Sequence, residues 1–587
     1  MQDHFIYENE DFIRILPDWA RELANKYGSK TANLYILHGN IRDFLPHEKY
    51  EGEYIFTRIQ DYISDVLFGN RDIIAFYDRS EGVAFCNEEM AREYEAWMRR
   101  RFPDEDAADF LSSDPEKSFY YIERYFMMRI PQSGKNRCRM VFIIDYAETI
   151  VPAGDIVRFS DIDRYCLVTL NRWATNPIFT ENDISIFLLT ENLVDISPRL
   201  SGSPSTVVVG VPFPDESIRN NFLRFQEKEG KLHLERGLKT AQIAAVTSGL
   251  NLMNLNRLVL ERHQENKILT IDHLRLKKKE MIENEAGGLL EFMDSTYSLD
   301  DVSGHEYVKK QFKNAARAIR HGQLDVLPMG YLISGPVGTG KSYMVSAFAG
   351  EIGIPMVKFR NFRSKWQGVT ESNLEKVLTI LRSMAPVAVM VDEADAFLGD
   401  RSQEGDSGTS NRVFAQLATF MGNTEYRGKI IWFLITCRPD LIPIDLKRQG
   451  RAEEHLALFY PETDLERVAL FETLVRKNKL QVHKFSVPEL FRKYDKEMSG
   501  ADIESMLIRA KQKAIIDKHT YISKDDMEEV MMDFNPPTYP HEIQLQNLVA
   551  VLECTSKKMV PKRFQNMDNS RLVNEIQQLK TLLGEKG

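Results

Sequence analysis

The 587-residue chain carries 86 acidic and 76 basic side chains, which gives a formal net charge of −10. This length exceeds what one hydrophobic core supports, so several domains are expected. The acidic balance argues against nucleic acid as the main partner, because phosphate binding needs a basic surface. The five cysteines form no C-x-x-C pair, which excludes an evident zinc site or disulfide framework. Without a leader peptide or a run of about eighteen apolar residues, we expect a cytoplasmic protein with no membrane partner.

The first half of the chain alternates predicted strands with helical stretches. A helical lead-in covers residues 12–27, and apolar strands are predicted at 33–39, 140–144, 184–190 and 207–211. The first of these strands ends in Gly39, and the next three positions that follow are Asn40, Ile41 and Arg42. A charged stretch over residues 274–285, followed by Gly287 and Gly288, predicts a linker.

A phosphate-binding loop opens the second half. Residues 335–342 fit the Walker A pattern G-x-x-x-x-G-K-[ST], between a predicted strand at 331–334 and a predicted helix from 342. In such loops backbone N–H groups surround the phosphates, Lys341 reaches the β and γ oxygens, and Ser342 holds Mg²⁺. The alternative is a glycine-rich turn with an incidental lysine. We expect ATP and Mg²⁺ as cofactors, with nucleotide contacts from Gly335, Pro336, Val337, Gly338, Thr339, Gly340, Lys341, Ser342 and Tyr343.

A second catalytic element follows a buried strand at residues 387–391. The strand ends in Asp392 and Glu393, a Walker B pattern. Asp392 is predicted to hold Mg²⁺ with Ser342, and Glu393 to polarise the attacking water. An Asp-Glu pair after a strand can also be a solvated turn, but its position behind a phosphate-binding loop favours the catalytic interpretation. Alternating strands and helices predict a parallel sheet with ligands at the carboxyl ends of its strands.

Residues 430–451 carry the most specific motif of the second half. A strand at 430–436 leads into Cys437-Arg438-Pro439 and on to Arg448-Gln449-Gly450-Arg451. This run is similar to the T-N-R-P-x-x-L-D-x-x-L-x-R-x-G-R segment of the core AAA clade of AAA+ ATPases. Residues 301–304, 459–461 and 499–503 also resemble segments of that clade, and the resemblance covers residues 298–535.

The resemblance implies roles for further residues. Arg448 and Arg451 would be arginine fingers acting on a neighbouring subunit, although two arginines beside a glycine can also be surface charges. Cys437 stands where the clade has an asparagine, and a thiol is a weak hydrogen-bonding group, so slower hydrolysis is expected unless Thr436 or a neighbour compensates. The family further implies an adenine pocket at Val302 and Gly304, a first sensor at Thr436 and Cys437, and a second sensor at Gly500 and Ala501.

Lys365, Trp366, Gln367 and Gly368 resemble the first pore loop of such rings, in which an aromatic side chain grips a polypeptide. Gln367 replaces the usual apolar residue, and Trp366 can alternatively be a core residue. The polar segment at 399–411 lies where a second pore loop would fall, but its composition carries little chemistry.

The first half resembles the same domain without its chemistry. Residues 140–148 and 184–199 mirror the Walker B and sensor strands. No Walker A lysine follows Gly39, Tyr146 stands in place of the catalytic glutamate, and Arg199 has no companion arginine three residues later. We interpret this half as a degenerate AAA-like domain; the alternative is an atypical nucleotide site.

The last segment, residues 536–587, is predicted to be a helical tail. Apolar residues recur with helical spacing at Leu545, Leu548, Val549 and Leu552, and again at Leu572, Ile576, Leu579 and Leu583. The tail is expected to pack on a lid or to bind a partner, with a solvated appendage as the alternative.

Together these patterns predict an α/β protein with two P-loop-type (AAA+) parallel αβα sheets, each followed by a small helical lid. The predicted boundaries are a lead-in at 1–32, a degenerate AAA-like domain at 33–275, a linker at 276–298, an active AAA domain at 299–535 and the tail at 536–587. The predicted function is an ATP-hydrolysing homo-oligomeric ring, by resemblance a hexamer, that remodels a protein client or works with an adaptor. The rivals are a nucleotide-stabilised scaffold for a larger apparatus, such as a phage-tail-like injection system, and a nucleic-acid motor, which the acidic charge disfavours.

Overall fold

The computed structural model describes residues 10–50, 53–130, 138–295, 297–352, 354–360, 371–398, 408–494, 498–534 and 539–585. The chain divides into two compact units. Unit 1 comprises Met1–Ile282 with Glu371–Ser383, and unit 2 comprises Glu283–Thr370 with Met384–Gly587. Among the described residues no helix combines the length and the apolar character that crossing a membrane requires.

Unit 1 alternates strands and helices through residue 211 and then becomes helical. Its elements are α1 (Glu10–Ile15), α2 (Asp18–Gly28), β1 (Leu34–Gly39), β2 (Leu45–Tyr50), β3 (Glu53–Thr57), α3 (Ile59–Asp61), β4 (Ile73–Asp78), β5 (Gly82–Phe85), α4 (Glu88–Arg101), α5 (Ala107–Phe110), α6 (Pro115–Arg129), β6 (Met140–Ile144), α7 (Asp161–Thr175), α8 (Pro177–Glu181), β7 (Ile184–Thr190), α9 (Pro198–Ser201), β8 (Thr206–Val211), α10 (Glu216–Lys228), α11 (Thr240–Val246), α12 (Leu252–Gln264) and α13 (Ile271–Glu285).

The sheet of unit 1 has the strand order β5-β4-β6-β7-β1-β8, parallel except for the edge pair β4–β5. Successive residues of β1 face opposite sides: Leu34 and Ile36 belong to one hydrophobic cluster, and Tyr35 and Leu37 to another. Helices therefore cover both faces, which is why β7 is buried along its whole length. Pro17 separates α1 from α2, so the predicted lead-in helix is two helices.

Unit 2 repeats this plan. Its elements are β9 (Leu290–Phe292), α14 (Glu306–Arg320), β10 (Gly330–Ser334), α15 (Lys341–Ile352), β11 (Met356–Phe359), β12 (Val387–Val391), α17 (Ala394–Leu398), α18 (Gly408–Met421), β13 (Ile430–Ile435), α19 (Ile444–Lys447), β14 (Glu454–Ala457), α20 (Asp464–Lys477), α21 (Val487–Lys493), α22 (Gly500–Ile516), α23 (Lys524–Asp533), α24 (Pro540–Glu553) and α25 (Asn569–Leu582). Helix α16 (Glu371–Met384) belongs to unit 1 except for its last residue.

The sheet of unit 2 has the order β14-β10-β13-β12-β11-β9, with β9 antiparallel to β11 and the other pairs parallel. In both units the strand before the predicted phosphate turn lies between the sensor strand and the last strand, so β10 corresponds to β1. The ring of Tyr331 stacks on Phe433 across β10 and β13, with centroids 5.1 Å apart. The carboxyl ends of β10, β12 and β13 thus meet at one edge, where ligands of parallel sheets bind.

Helices follow each sheet, as predicted, which confirms the fold class. In unit 2, α20–α23 enclose an apolar cluster that includes Phe471, Leu507 and Met527. The tail forms a helical hairpin, α24 and α25, closed by Leu545, Leu548, Val549, Leu572, Ile576 and Leu579. Leu552, predicted to share this apolar face, is instead 44% exposed, because Ala550 and not Leu552 packs against Ala457 and Phe459.

Candidate functional site

Two glycines of the loop between β10 and α15 hold positions that a side chain could not occupy. Gly335 has φ +135°, and a Cβ there would lie 2.0 Å from the carbonyl oxygen of Leu458. Gly338 has φ +81°, and its Cβ would lie 2.7 Å from Ser499 Oγ. The loop therefore packs closely against β14 on one side and against the start of α22 on the other, which fixes its backbone for close approach to an anion.

Lys341, the Walker A lysine, begins α15 and is only 8% exposed. Its ammonium donates to the carbonyl oxygens of Gly335 at 2.8 Å and Pro336 at 2.9 Å. The same nitrogen lies 3.2 Å from Cys437 Sγ. Lys341 thus joins its own loop to the end of β13, at the position predicted for the first sensor.

The two predicted magnesium ligands lie together. Ser342 Oγ donates to Asp392 Oδ1 at 3.1 Å, and Lys358 Nζ donates to Asp392 Oδ2 at 2.9 Å. A hydroxyl and a carboxylate are the hard oxygen ligands that Mg²⁺ prefers beside substrate phosphates. These residues fit a Mg²⁺–nucleotide complex, and Lys358 fixes the carboxylate from the neighbouring strand β11.

Glu393 follows Asp392 in a left-handed conformation with φ +50°, which is uncommon for a residue with a side chain. Its backbone N–H donates to Asp392 Oδ1 at 3.2 Å, and the residue is exposed. The turn therefore ends the strand sharply and leaves the glutamate accessible to solvent, as a water-polarising group requires.

The two predicted first-sensor residues, Thr436 and Cys437, contact different groups. Thr436 is 1% exposed; its hydroxyl donates to Asp395 Oδ1 at 2.6 Å and accepts the N–H of Arg438 at 2.8 Å. Cys437, not Thr436, reaches the Walker A lysine. The hydroxyl of Thr436 is thus engaged in holding the sensor turn in place.

The start of α22 borders the phosphate-binding loop, and His305, just before α14, forms a hydrogen bond with the backbone of Thr339 in that loop. Gly500 faces the carbonyl oxygen of Gly338, at 3.5 Å from its ideal Cβ position, and the Cβ built on Gly338 would lie 3.7 Å from the Cβ of Ala501. Val302 is buried, and its carbonyl oxygen accepts from Lys309 Nζ at 3.0 Å.

His305 and Tyr343 also lie near the phosphate-binding loop. Burial lowers the pKa of His305 to about 4, against the opposing charge of Glu466, so this histidine, which follows the predicted adenine-pocket residue Gly304, is neutral at physiological pH. The ring of Tyr343 lies 5.0 Å from Lys477 Nζ of α20. The Walker A loop therefore borders the second-sensor residues and His305, the residue that follows Gly304.

The predicted arginine fingers follow α19. Arg448 has a side chain that is 60% exposed and lies 3.5 Å from the Asp445 carboxylate. Arg451 donates from Nη1 to the carbonyl oxygen of Asp445 at 2.8 Å. Their finger role requires a neighbouring subunit and stays a prediction. The predicted pore loop at Lys365, Trp366, Gln367 and Gly368 lies outside the described residues, as do residues 399–407 of the second.

Unit 1 keeps the backbone of this site and replaces its side chains. Tyr146 has φ +50°, the same value as Glu393, and its N–H donates to Asp145 Oδ1 at 2.7 Å. Asp145 accepts from Arg42 at 2.7 Å and from Gln60 at 2.9 Å. The Arg42 guanidinium also lies 4.0 Å above the Tyr146 ring. A protein cation therefore contacts the carboxylate that corresponds to Asp392.

Asp43 occupies the turn that corresponds to the phosphate-binding loop. It is 1% exposed, and its carboxylate accepts the backbone N–H groups of Leu252 at 2.8 Å and Met253 at 2.7 Å, at the start of α12. Asn40 Nδ2 donates to it at 2.8 Å. Burial raises the pKa of Asp43, although these hydrogen bonds counteract the shift. A carboxylate of the chain itself thus meets the helix terminus that corresponds to the second-sensor region.

Sequence reasoning missed Lys358, Arg42 and Asp43. Lys358 carried a signal, because it is a charged residue in an otherwise apolar strand. Arg42 and Asp43 follow Gly39 where a phosphate-binding loop would continue, and no sequence pattern indicates their partners.

Comparison with known protein families gives a consistent assignment. Residues 9–212 match the AAA+ chaperone N-terminal Rossmann-like domain, and residues 217–287 match the AAA+ chaperone second helical domain. Residues 331–460 match the family described as ATPase family associated with various cellular activities. The match of the second half to this family supports ATP hydrolysis.

Similar proteins include a cell division cycle protein 48 homolog of Archaeoglobus fulgidus, 26% identical over 445 residues, which are 70% of this chain and 59% of that protein. An uncharacterized AAA domain-containing protein, ycf46, of Guillardia theta is 24% identical over 340 residues, 56% of this chain and 66% of that protein. The ATP-dependent zinc metalloprotease FtsH 1 of Salinibacter ruber is 28% identical over 257 residues, 42% of this chain and 36% of that protein. The chain thus spans less than two thirds of each of these relatives. Its strand order, its Walker motifs and these matches support an AAA+ ATPase of the core AAA clade with tandem domains.

Proposed function

We propose that this protein hydrolyses ATP at the site of unit 2. The observation that carries the proposal is the convergence of Lys341, Ser342, Asp392 and Glu393 at one edge of a parallel sheet. Lys341 would bind phosphate oxygens, Ser342 and Asp392 would hold Mg²⁺, and Glu393 would accept a proton from the attacking water. Bound Mg²⁺ would neutralise charge on the phosphates.

Unit 1 is proposed to bind no nucleotide. Its counterpart of the magnesium-binding carboxylate, Asp145, is engaged by Arg42, and the turn after Gly39 carries Asp43 instead of a lysine. A buried carboxylate at the phosphate position repels a triphosphate, and it already binds the N-terminus of α12. This favours the degenerate-domain interpretation over the atypical nucleotide site.

The proposed work of the ATPase is the remodelling, unfolding or disassembly of a protein client by a homo-oligomeric ring. Two observations support it: the chaperone-type domains in the first half, and the similarity of the chain to a Cdc48 homolog and to an FtsH metalloprotease. Arg448 and Arg451 would act on a neighbouring protomer, and Trp366 would grip the client.

A nucleotide-stabilised assembly scaffold is the second candidate. The site of unit 1, in which Arg42 and Asp43 take the place of a ligand, and the thiol at position 437 both favour the scaffold, because neither promotes rapid turnover. The two functions differ in whether ATP hydrolysis is coupled to a change in a client.

Phosphate release and nucleotide binding test the hydrolysis proposal. Lys341→Ala should abolish ATP binding, whereas Glu393→Gln should bind ATP and release no phosphate above background. Glu472→Gln, which neutralises an exposed glutamate of α20, is the matched control and should retain wild-type turnover. Wild-type phosphate release from Glu393→Gln would overturn the assignment.

Client coupling is tested with Trp366→Ala in the full chain. Remodelling predicts unchanged phosphate release together with loss of unfolding of a fluorescent client protein. Unchanged unfolding would refute a pore role for Trp366, whereas a wild-type protein that hydrolyses ATP and unfolds no client would favour the scaffold. Cys437→Asn is expected to raise turnover, since an amide orients water better than a thiol does.

A further inference from the structure

The tail hairpin, residues 540–585, lies outside the matched family regions and has no role in the proposed reaction so far. Its two helices close on their own apolar cluster, and α24 also packs on β14 through Ala550 against Ala457 and Phe459. Three sets of polar contacts then connect the hairpin to parts of the ATPase site within unit 2.

The first set reaches the phosphate-binding loop. The backbone N–H of Val337 donates to Gln546 Oε1 of α24 at 3.0 Å, and the carbonyl oxygen of Val337 accepts from Tyr460 Oη at 2.7 Å. Both polar groups of this loop residue are therefore held from outside the loop, one of them by the tail.

The second set reaches the sensor turn. Arg438, the residue after Cys437, donates both terminal nitrogens to the two carboxylate oxygens of Glu585, each at 2.7 Å. Asp440 accepts from the same guanidinium at 3.0 and 2.9 Å, and Lys580 of α25 lies 2.8 Å from Asp440. The Arg438 and Asp440 side chains are 14% and 15% exposed and that of Glu585 is 36% exposed, so the Arg438–Asp440 part of this network is shielded from solvent better than a surface ion pair.

The third set reaches the segment that carries the arginine fingers. Lys447, which immediately precedes Arg448, donates to the Glu553 carboxylate at the end of α24 and to the carbonyl oxygen of Pro439 at 3.0 Å. His455 Nδ1 lies 3.0 Å from the carbonyl oxygen of Glu553. One element of the fold thus contacts the loop, the sensor turn and the residue before a finger.

We propose that the tail hairpin positions the ATPase site, with Gln546 as a positioning residue for the phosphate-binding loop and Glu585 as one for the sensor turn. Cys437 lies between the Glu585-bound Arg438 and the Walker A lysine, so movement of the sensor turn is transmitted to Lys341. This inference rests on the ATP hydrolysis proposed above.

The two contacts predict different kinetic effects. A loop contact acts on bound ATP in the ground state and the transition state alike, so its loss raises KM. A sensor-turn contact acts on the groups around the reacting phosphate, so its loss lowers kcat. One neutral hydrogen bond corresponds to about a 3- to 10-fold change, and a charged bidentate pair to about 10-fold or more.

The test measures steady-state phosphate release by the full chain. Gln546→Met keeps the side-chain length and removes the acceptor, and it should raise KM for ATP about 3- to 10-fold with little change in kcat. The control is Gln544→Met, an exposed position on the same helix. Glu585→Ala should lower kcat about 10-fold or more with KM within about twofold. Its control is Glu575→Ala, which removes only the exposed i,i+4 pair with Arg571.

Melting curves check that each variant folds. Should Glu585→Ala melt early, Glu585→Gln replaces it, because it keeps the size of the side chain and removes the charge. Values of kcat and KM that match the controls in both tail variants would overturn the inference. Because Lys341→Ala is measured alongside, that result differs from failure of the hydrolysis proposal, in which the lysine variant would also release phosphate at the wild-type rate.

Discussion

Asp43 is predicted to hold the lid of unit 1 in the place where a nucleotide would act in an active domain. The perturbation is Asp43→Ala. It removes the acceptor for the N–H groups of Leu252 and Met253, which lie at 2.8 and 2.7 Å from the carboxylate oxygens. Because Asp43 is 1% exposed, water cannot readily replace the lost oxygens.

The expected cost follows from those contacts. A buried donor left without a partner costs about 1–3 kcal/mol, so two amides give about 2–5 kcal/mol once the desolvation of the carboxylate is subtracted. Desolvation of this carboxylate is unfavourable for its charged form, and burial accordingly raises the pKa of Asp43. Asp43→Asn keeps one acceptor and should cost about 1–3 kcal/mol.

Amide hydrogen exchange is the assay, because it reports local opening in a protein of several domains. Exchange at Leu252 and Met253 should accelerate at least about 30-fold in Asp43→Ala, the equivalent of about 2 kcal/mol. The control Asp18→Ala alters a carboxylate that is 97% exposed and should leave these amides unchanged. Unaltered exchange in Asp43→Ala would refute the idea that this carboxylate fastens α12.

Three further outcomes follow from the site. Lys358→Met should lower the rate of phosphate release about tenfold, because Asp392 loses a charge-assisted hydrogen bond. Steady-state kinetics measure this rate, and a value within twofold of wild type would contradict the prediction. Gly338→Ala should weaken binding of a fluorescent ATP analogue about tenfold or more, because a side chain at φ +81° is strained and meets Ser499 at 2.7 Å; wild-type affinity would refute this. Burial opposes protonation of His455, but hydrogen bonding to Glu553 raises the pKa of this histidine above the ordinary 6.5. The stability that this pair contributes is therefore fully present below pH 6.5 and is lost as the pH rises through the pKa of the folded state. Melting temperatures measured against pH should show this loss, and Glu553→Gln should flatten it.

The fold of both units was predictable because their central strands are predominantly apolar and buried. Residues 140–144, 184–190, 387–391 and 430–435 form strands within a residue of their predicted ends. The hairpin of β2 and β3 was not predicted, since Pro46 and alternating charged residues obscure its pattern. The order of strands was not predicted, because hydrophobic periodicity is a local signal.

The candidate site was predictable where a backbone shape dictates the residue type. Glycine is required at 335 and 338 because other parts of the chain occupy the space of a Cβ. Contacts between distant segments were not predictable, and the bonds of Glu585 to Arg438 and of Gln546 to Val337 are of this kind. A sequence pattern shows that a glutamate is charged but does not show which arginine it meets.

Comparison of unit 1 with unit 2 distinguishes the features of the site that depend on the fold from those that depend on particular side chains. Tyr146 and Glu393 adopt the same φ of +50° after an Asp that accepts the following N–H, so this sharp turn does not depend on a catalytic glutamate. The turn is therefore a property of how the strand ends, and the chemistry is added to it. Arg42 and Asp43 supply opposite charges where an active domain binds Mg²⁺ and phosphate, which lets the first unit keep its sheet and lid connected without consuming a ligand.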